Sequence, residues 1–215
     1  MSAFPLLHHQ YRTISSTRMS PINELTDLLA NLPGLGPRQA RRVVQYLLAK
    51  DQTFRAHLSE MIRTMHAQTM QCTRCYQFDD PRETRLCHMC ADPQRDASLL
   101  MVVEHDVDID AIEASLTYKG YYFVLGGLMN LVKQRKDKII RTKELQLRIG
   151  SEVKEVIFAL AATPEGDFTA KEVSVELRAM NNELKTTLLG RGLSIGAELE
   201  YADPETLRSA LKNRS

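Results

Sequence analysis

All four cysteines of this 215-residue chain lie in one stretch, CTRCYQFDDPRETRLCHMC, which spans residues 72 to 90. Two Cys-x2-Cys pairs, Cys72 with Cys75 and Cys87 with Cys90, constrain the fold more than any other feature, because each pair makes a knuckle and the knuckles must converge. The polar loop Phe78-Asp79-Asp80-Pro81 must therefore turn the chain back on itself. Four thiolates suit one tetrahedral Zn2+ per chain and leave no position for water, so the expected metal is structural. Disulfides are the rival reading, and a reducing, cytosolic setting opposes them. His88, inside the second knuckle, is expected to be a bystander.

Around this element the periodicity of the apolar residues changes. Before it, Ser20 caps a helix with Pro21 in its first position, and Ile22, Leu25, Leu28, Leu29 and Leu32 share one face. A second helix starts near Pro37 with the stripe Ala40, Val43, Val44, Leu47 and Leu48. A third, from about Gln52 to Met70, is expected to bury Phe54, Leu58, Met61, Ile62 and Met65. After the cysteines, SLLMVV (98–103), YYFVL (121–125), EVIFALA (155–161) and TTLL (186–189) read as strands. Ala170, Val173, Leu177 and Met180 mark a helix between the last two. Strands alternating with helices imply right-handed crossovers and a mainly parallel sheet covered on both faces. A last helix opens at Asp203-Pro204 and carries Leu207, Ala210 and Leu211.

Composition excludes several classes. A hydrophobic content of 43% suits a globular protein. No run approaches the length of a bilayer span, and no signal-peptide core precedes a cleavage site. The first eighteen residues contain no acid and only Arg12 and Arg18 as bases, so they read as a disordered extension or a misassigned start rather than a transit peptide.

The net charge of +1 conceals an alternation that separates modules. Residues 33 to 70 are net basic, with Arg38, Arg41, Arg42, Lys50, Arg55 and Arg63 against Asp51 and Glu60. Residues 98 to 130 are net acidic, and 131 to 148 are basic again. Within the first basic stretch, LPGLGP (32–37) places Gly34 and Gly36 in the turn between two helices. Glycines admit close approach of a partner, and a helix N-terminus offers free N–H groups to an anion. This is the shape of a helix-hairpin-helix, which holds the DNA backbone without reading bases; an ordinary helical corner with a solvated basic face is the alternative. Arg38, Arg41 and Arg42 fall within about one helical turn, which favours nucleic acid.

Glu104 follows the first strand of the parallel sheet, and Glu165-Gly166-Asp167 follows the third, where ligands of such sheets sit. The three carboxylates suit Mg2+, or, for Asp167, a helix cap. Asp106, Asp108 and Asp110 fail as a calcium loop, since Ala111 stands in place of the turn glycine.

The glycine hairpin, the four cysteines, the acidic α/β part and the phrase RGLSIGAELEYAD (191–203) occur in this order over residues 20 to 213. The chain thereby resembles the RecR family of bacterial recombination mediators. The resemblance implies a multi-domain α/β chain: an extension at 1–19, a helix-hairpin-helix domain at 20–70, a zinc element at 71–96, a Toprim-like domain at 97–190, and a C-terminal segment with a helix at 191–215 that contacts a neighbouring subunit. It implies a clamp without catalysis that binds DNA at Gly34, Gly36 and Arg38, assembles as a dimer or ring tetramer, and works in the cytoplasm, on the nucleoid. With RecO-like and RecF-like partners it would help to place RecA on single-stranded gaps. Glu104 and Asp106, with Glu165 and Asp167 beside them, would form an acidic partner surface. The sequence departs from the family pattern after the second Toprim strand, where Gly126-Gly127-Leu128-Met129-Asn130 runs into KQRKDK. A Mg2+-dependent nuclease or primase is the competing reading. A topoisomerase is not, because no second domain could deliver its tyrosine.

Overall fold

The computed structural model describes residues 20–131, 140–193, 196 and 198–212. The 1–19 extension and the basic run KQRKDK lie outside these. The chain divides into two compact units, Met1–Met65 and His66–Ser215.

In the first unit, α1 (Pro21–Ala30) and α2 (Pro37–Ala49) pair as a hairpin that buries Thr26, Ala40 and Val44. Ser20 caps α1 as expected, its hydroxyl accepting from the Ile22 N–H at 3.3 Å. Asp51 caps α3 (Gln52–Thr64), accepting from the Phe54 N–H at 2.7 Å. Two expectations for α3 are corrected. It ends at Thr64 rather than near Met70, because Met70 already belongs to the strand that leads into the first cysteine knuckle. It also buries none of its residues: Phe54, Leu58, Met61, Ile62 and Met65 stay exposed, since the α1–α2 pair closes its small core without them.

The second unit holds a four-stranded, all-parallel sheet in the order β4-β3-β5-β6. Its strands are β3 (Asp96–Val103), β4 (Gly120–Val124), β5 (Glu155–Ala159) and β6 (Lys185–Leu188). The short strands β1 (Met70–Gln71) and β2 (Phe78–Asp79) form a separate antiparallel pair. Alternate residues of β3 serve opposite faces, which explains why its sequence is apolar throughout rather than alternating. Leu100 and Val102, with Phe123 and Phe158, meet Leu145 of α6 (Thr142–Arg148) and Ala170, Val173 and Leu177 of α7 (Pro164–Met180). Met101 and Val103, with Tyr122 and Val124, meet Ile109 of α5 (Asp106–Ala114), and also Met89 and the four cysteines. The cysteine element is thus a covering layer of the sheet's second face. Each fully buried large side chain here, such as Phe123 or Phe158, contributes roughly 1.5–3 kcal/mol. Met180, expected on the buried stripe of α7, is instead 63% exposed at the helix end.

Thr163 caps α7, accepting from the Gly166 N–H at 3.1 Å. Gly166 is buried in the first turn, where an added Cβ would stand 2.0 Å from the Ala161 carbonyl oxygen. Backbone cannot yield as a side chain would, so Gly166→Ala is expected to cost about 1–3 kcal/mol. A thermal melt showing wild-type stability would mean that the turn between β5 and α7 re-forms freely.

Candidate metal centre and nucleic-acid interface

The two knuckles converge through backbone pairing. The Cys72 N–H donates to the Gln77 carbonyl at 2.8 Å, and Thr73 N–H donates to Arg85 at 3.0 Å, tying the first loop to the second. Tyr76 takes a left-handed backbone (φ 67°) to close the first knuckle, and Arg85 does the same in the second loop (φ 55°). Cys87 caps α4 (His88–Ala91), its sulfur accepting from the Cys90 N–H at 3.4 Å. Asp79 pulls the loop back by accepting from the His88 N–H at 2.9 Å. Burial works against the Asp79 carboxylate, yet the backbone N–H groups of His88 and Asp80 hold it below the usual range.

All four sulfurs lie within 4.8 Å of one another, and Cys75 and Cys87 are 3.5 Å apart. A tetrahedral thiolate site with bonds of about 2.3 Å needs sulfurs about 3.8 Å apart, so the donor set fits. No disulfide joins them, and each is buried. Without a cation the thiols cannot all ionise: hydrogen bonding to Cys72 pushes both Cys75 and Cys90 up, and burial adds to it. A divalent ion resolves that conflict by binding every sulfur as thiolate. His88 is no ligand; its Nδ1 lies 3.2 Å from Asp79, and its side chain is exposed. The element is also fastened to the sheet edge, since Val124 N–H donates to the Cys75 carbonyl at 2.8 Å.

In the first unit, Gly34 has φ +78°, which only glycine adopts without strain, and no atom lies within 4 Å of its absent Cβ. Gly36 is extended, a conformation open to any residue, and its Cβ would meet only the mobile end of Gln39 at 3.0 Å. Internal packing therefore does not demand glycine at 36. Gly36 is the N-cap of α2 without a side-chain cap, and the first turn holds no acid. Arg38, Arg41 and Arg42 are all exposed beside this uncapped positive end.

The acids are placed differently from one another. The Glu104 side chain is 13% exposed, 3.7 Å from His105 Nε2. Asp106 opens α5, but its carboxylate accepts from the Phe78 N–H at 2.8 Å and so turns toward the cysteine element. Burial pushes it up, against that hydrogen bond. Both are recessed in a cleft of about 330 Å3 whose wall includes Tyr76 and Arg141. Arg141, which the sequence did not single out, donates to the Val124 carbonyl at 3.1 Å and stands 5.0 Å from the Tyr76 ring centre. No local pattern announces that role. Glu165 and Asp167 are exposed on the first turn of α7. Asp167 pairs with Arg191, and Thr163 takes the capping role offered to it. Among the described residues, the cysteines are the one group of three or more His, Cys, Asp or Glu whose ligand atoms converge. Glu104, Glu165 and Asp167 thus do not meet around a common ion.

Comparison with known proteins agrees with this layout. A family model described as RecR, helix-hairpin-helix matches residues 22–66, one for the Toprim domain matches 98–188, and one for RecR, C-terminal matches 192–215. The recombination protein RecR of Carboxydothermus hydrogenoformans is 36% identical over 195 residues, 90% of this chain and 96% of its own. That of Dehalococcoides mccartyi is 38% identical over 194 residues, covering 90% and 93%. That of Bifidobacterium adolescentis is 40% identical over 195 residues, covering 90% and 94%. A hairpin domain, four converging cysteines and a Toprim sheet, in a chain matched over nearly the whole length of these relatives, place it in the RecR family of recombination proteins, which serve DNA repair.

Proposed function

We propose that the chain is a non-catalytic DNA clamp of recombinational repair, acting in the cytoplasm on the nucleoid. It grips duplex and gapped DNA through phosphates at Gly34, Gly36, Arg38, Arg41 and Arg42, and with RecO-like and RecF-like partners helps to load RecA on single-stranded gaps. The observation that carries this reading is the uncapped, acid-free end of α2 with three exposed arginines beside a bare glycine turn. An anion at such an end gains both N–H donors and the helix dipole.

The metal in this reading is zinc, held by Cys72, Cys75, Cys87 and Cys90; when bound it supplies structural cross-linking. Homo-oligomerisation is supported by the apolar side chains that one chain leaves exposed in the first unit, Leu28, Leu32, Met61, Ile62 and Met65 among them. Glu104, Asp106, Glu165 and Asp167 form the partner-facing acidic end of the sheet, with Glu165 and Asp167 the more accessible.

The test is equilibrium binding of a labelled gapped duplex over a salt series, with the same DNA incubated in Mg2+. Binding independent of sequence, falling steeply with salt and leaving the DNA intact, is expected. Cleavage or synthesis abolished by Glu104→Gln would replace the clamp with a Toprim nuclease or primase. Absence of binding at low salt would leave a protein-binding metal module.

A further inference from the structure

On the second unit, an open cleft of about 390 Å3 is lined by Thr73, Arg74, Tyr76, Leu86, Leu147 and Arg148. Arg74 lies inside the first cysteine knuckle, and Arg148 ends α6. Their guanidinium carbons stand 4.7 and 5.7 Å from the centre of the same ring, that of Tyr121. Each therefore packs on one ring, and the charge of Arg74 acts unfavourably on Arg148.

Apart from that ring, neither cation has a carboxylate within hydrogen-bonding reach among the described residues. The Arg148 side chain is only 8% exposed, and its one carboxylate partner, Glu152, is 3.9 Å away, beyond hydrogen-bonding reach. Its Nε–H is buried without an acceptor. Burial, and after it the charge of Arg74, disfavours the protonated guanidinium. Among the described residues, and beside the Tyr121 ring, Arg74 makes one long hydrogen bond, 3.5 Å, to the Cys90 carbonyl. Glu144 lines the same cleft, yet among the described residues Arg148 pairs with Glu152 alone. Buried guanidinium groups normally find hydrogen-bond partners, so this pair calls for an acceptor. A metal-bound thiolate centre nearby offers compensating charge but not acceptors, since the sulfurs are buried and Arg74 reaches a carbonyl rather than a sulfur.

We infer that Arg74 and Arg148 form a phosphate-binding site at this cleft, separate from the hairpin of the first unit. A phosphate carries two or three charged oxygens on a compact tetrahedron, which two guanidinium forks can hold together. The two carboxylates already at hand, Glu144 and Glu152, have not been drawn into a bidentate pair. The phosphate belongs either to a nucleic acid or to a free nucleotide or inorganic phosphate.

The site does not rest on the hairpin reading and is tested with the full chain. Thermal melts and calorimetric titration compare inorganic phosphate with chloride and acetate at matched ionic strength. Phosphate is expected to raise Tm saturably. Arg74→Gln, at a partly buried position, and Arg148→Lys, which keeps the charge and loses the fork, should each weaken phosphate binding roughly tenfold, the loss of one charge-assisted hydrogen bond. In an Arg38→Ala, Arg41→Ala background, competition by a short oligonucleotide assigns the phosphate to nucleic acid, and competition by a mononucleotide alone assigns it to a free ligand. Acetate acting as well as phosphate would overturn the assignment in favour of a carboxylate pocket. A phosphate effect unchanged by Arg74→Gln would place binding elsewhere. No phosphate effect, with less metal retained by Arg74→Gln, would make both arginines counter-charges of the thiolate centre.

Discussion

Replacing Cys72 with Ser, or removing the metal with a chelator, is expected to unfold the cysteine element and loosen the sheet it covers. A structural zinc site contributes roughly 10 to 16 kcal/mol in small peptides, against a whole-domain stability of about 5 to 15 kcal/mol. The element has little else to hold it: β1 and β2 are two residues long each, and α4 is a single turn. Its loss reaches further than itself, because Met89 and the cysteines share a core with Met101, Val103, Ile109, Tyr122 and Val124. Thermal melts with metal quantification should therefore show a large fall in Tm, together with lower solubility and weaker self-association. A metal held only by the folded state stabilises it, so the wild-type Tm should also fall as chelator concentration rises. The hairpin helices have their own small core, so intrinsic DNA contact should change last. A Cys72→Ser protein that stays folded and associated but loses DNA alone would identify the knuckle as a DNA-binding surface.

Arg38→Ala combined with Arg41→Ala is expected to cut DNA affinity and flatten its salt dependence. Each phosphate neutralised by a basic side chain contributes about −0.9 to the slope of log K against log salt on duplex DNA, so two lost contacts should reduce its magnitude by about 1.8. Contacts without base readout give dissociation constants of about 10⁻⁴ to 10⁻⁶ M at physiological salt, and the loss should be equal for any sequence. Both side chains are exposed, so folding should be untouched and circular dichroism unchanged. An unaltered slope would move the DNA site off α2.

The local grammar of the chain was legible wherever one residue acts on its neighbours. Ser20 before Pro21 and Asp203 before Pro204 cap or open helices because capping acts over two or three residues; at α7 the cap is Thr163 rather than Asp167. The four strand runs were visible because a parallel sheet covered on both faces needs apolar residues without alternation. The cysteine spacing likewise announced convergence, and the four sulfurs do converge. The third helix misled on both length and burial. Its apolar period is real, but periodicity shows only that a face exists, not what covers it.

The sequence alone determined the four main strands, the hairpin helices, the converging cysteines and the basic turn, because each depends on chemistry within a few residues. The tertiary structure alone decided three other things. It laid the cysteine element over the second face of the sheet, through contacts with Met101, Val103, Tyr122 and Val124 far along the chain. It recessed Glu104 and Asp106 while leaving Glu165 and Asp167 open, although all four acids follow the same strand-to-helix pattern. And it drew Arg74 of the first knuckle, the stretch first recognised by its cysteines, onto the ring that Arg148 also shares. Long-range packing chooses among faces that local periodicity leaves equivalent, so which charged groups end up together is settled only when the sheet assembles.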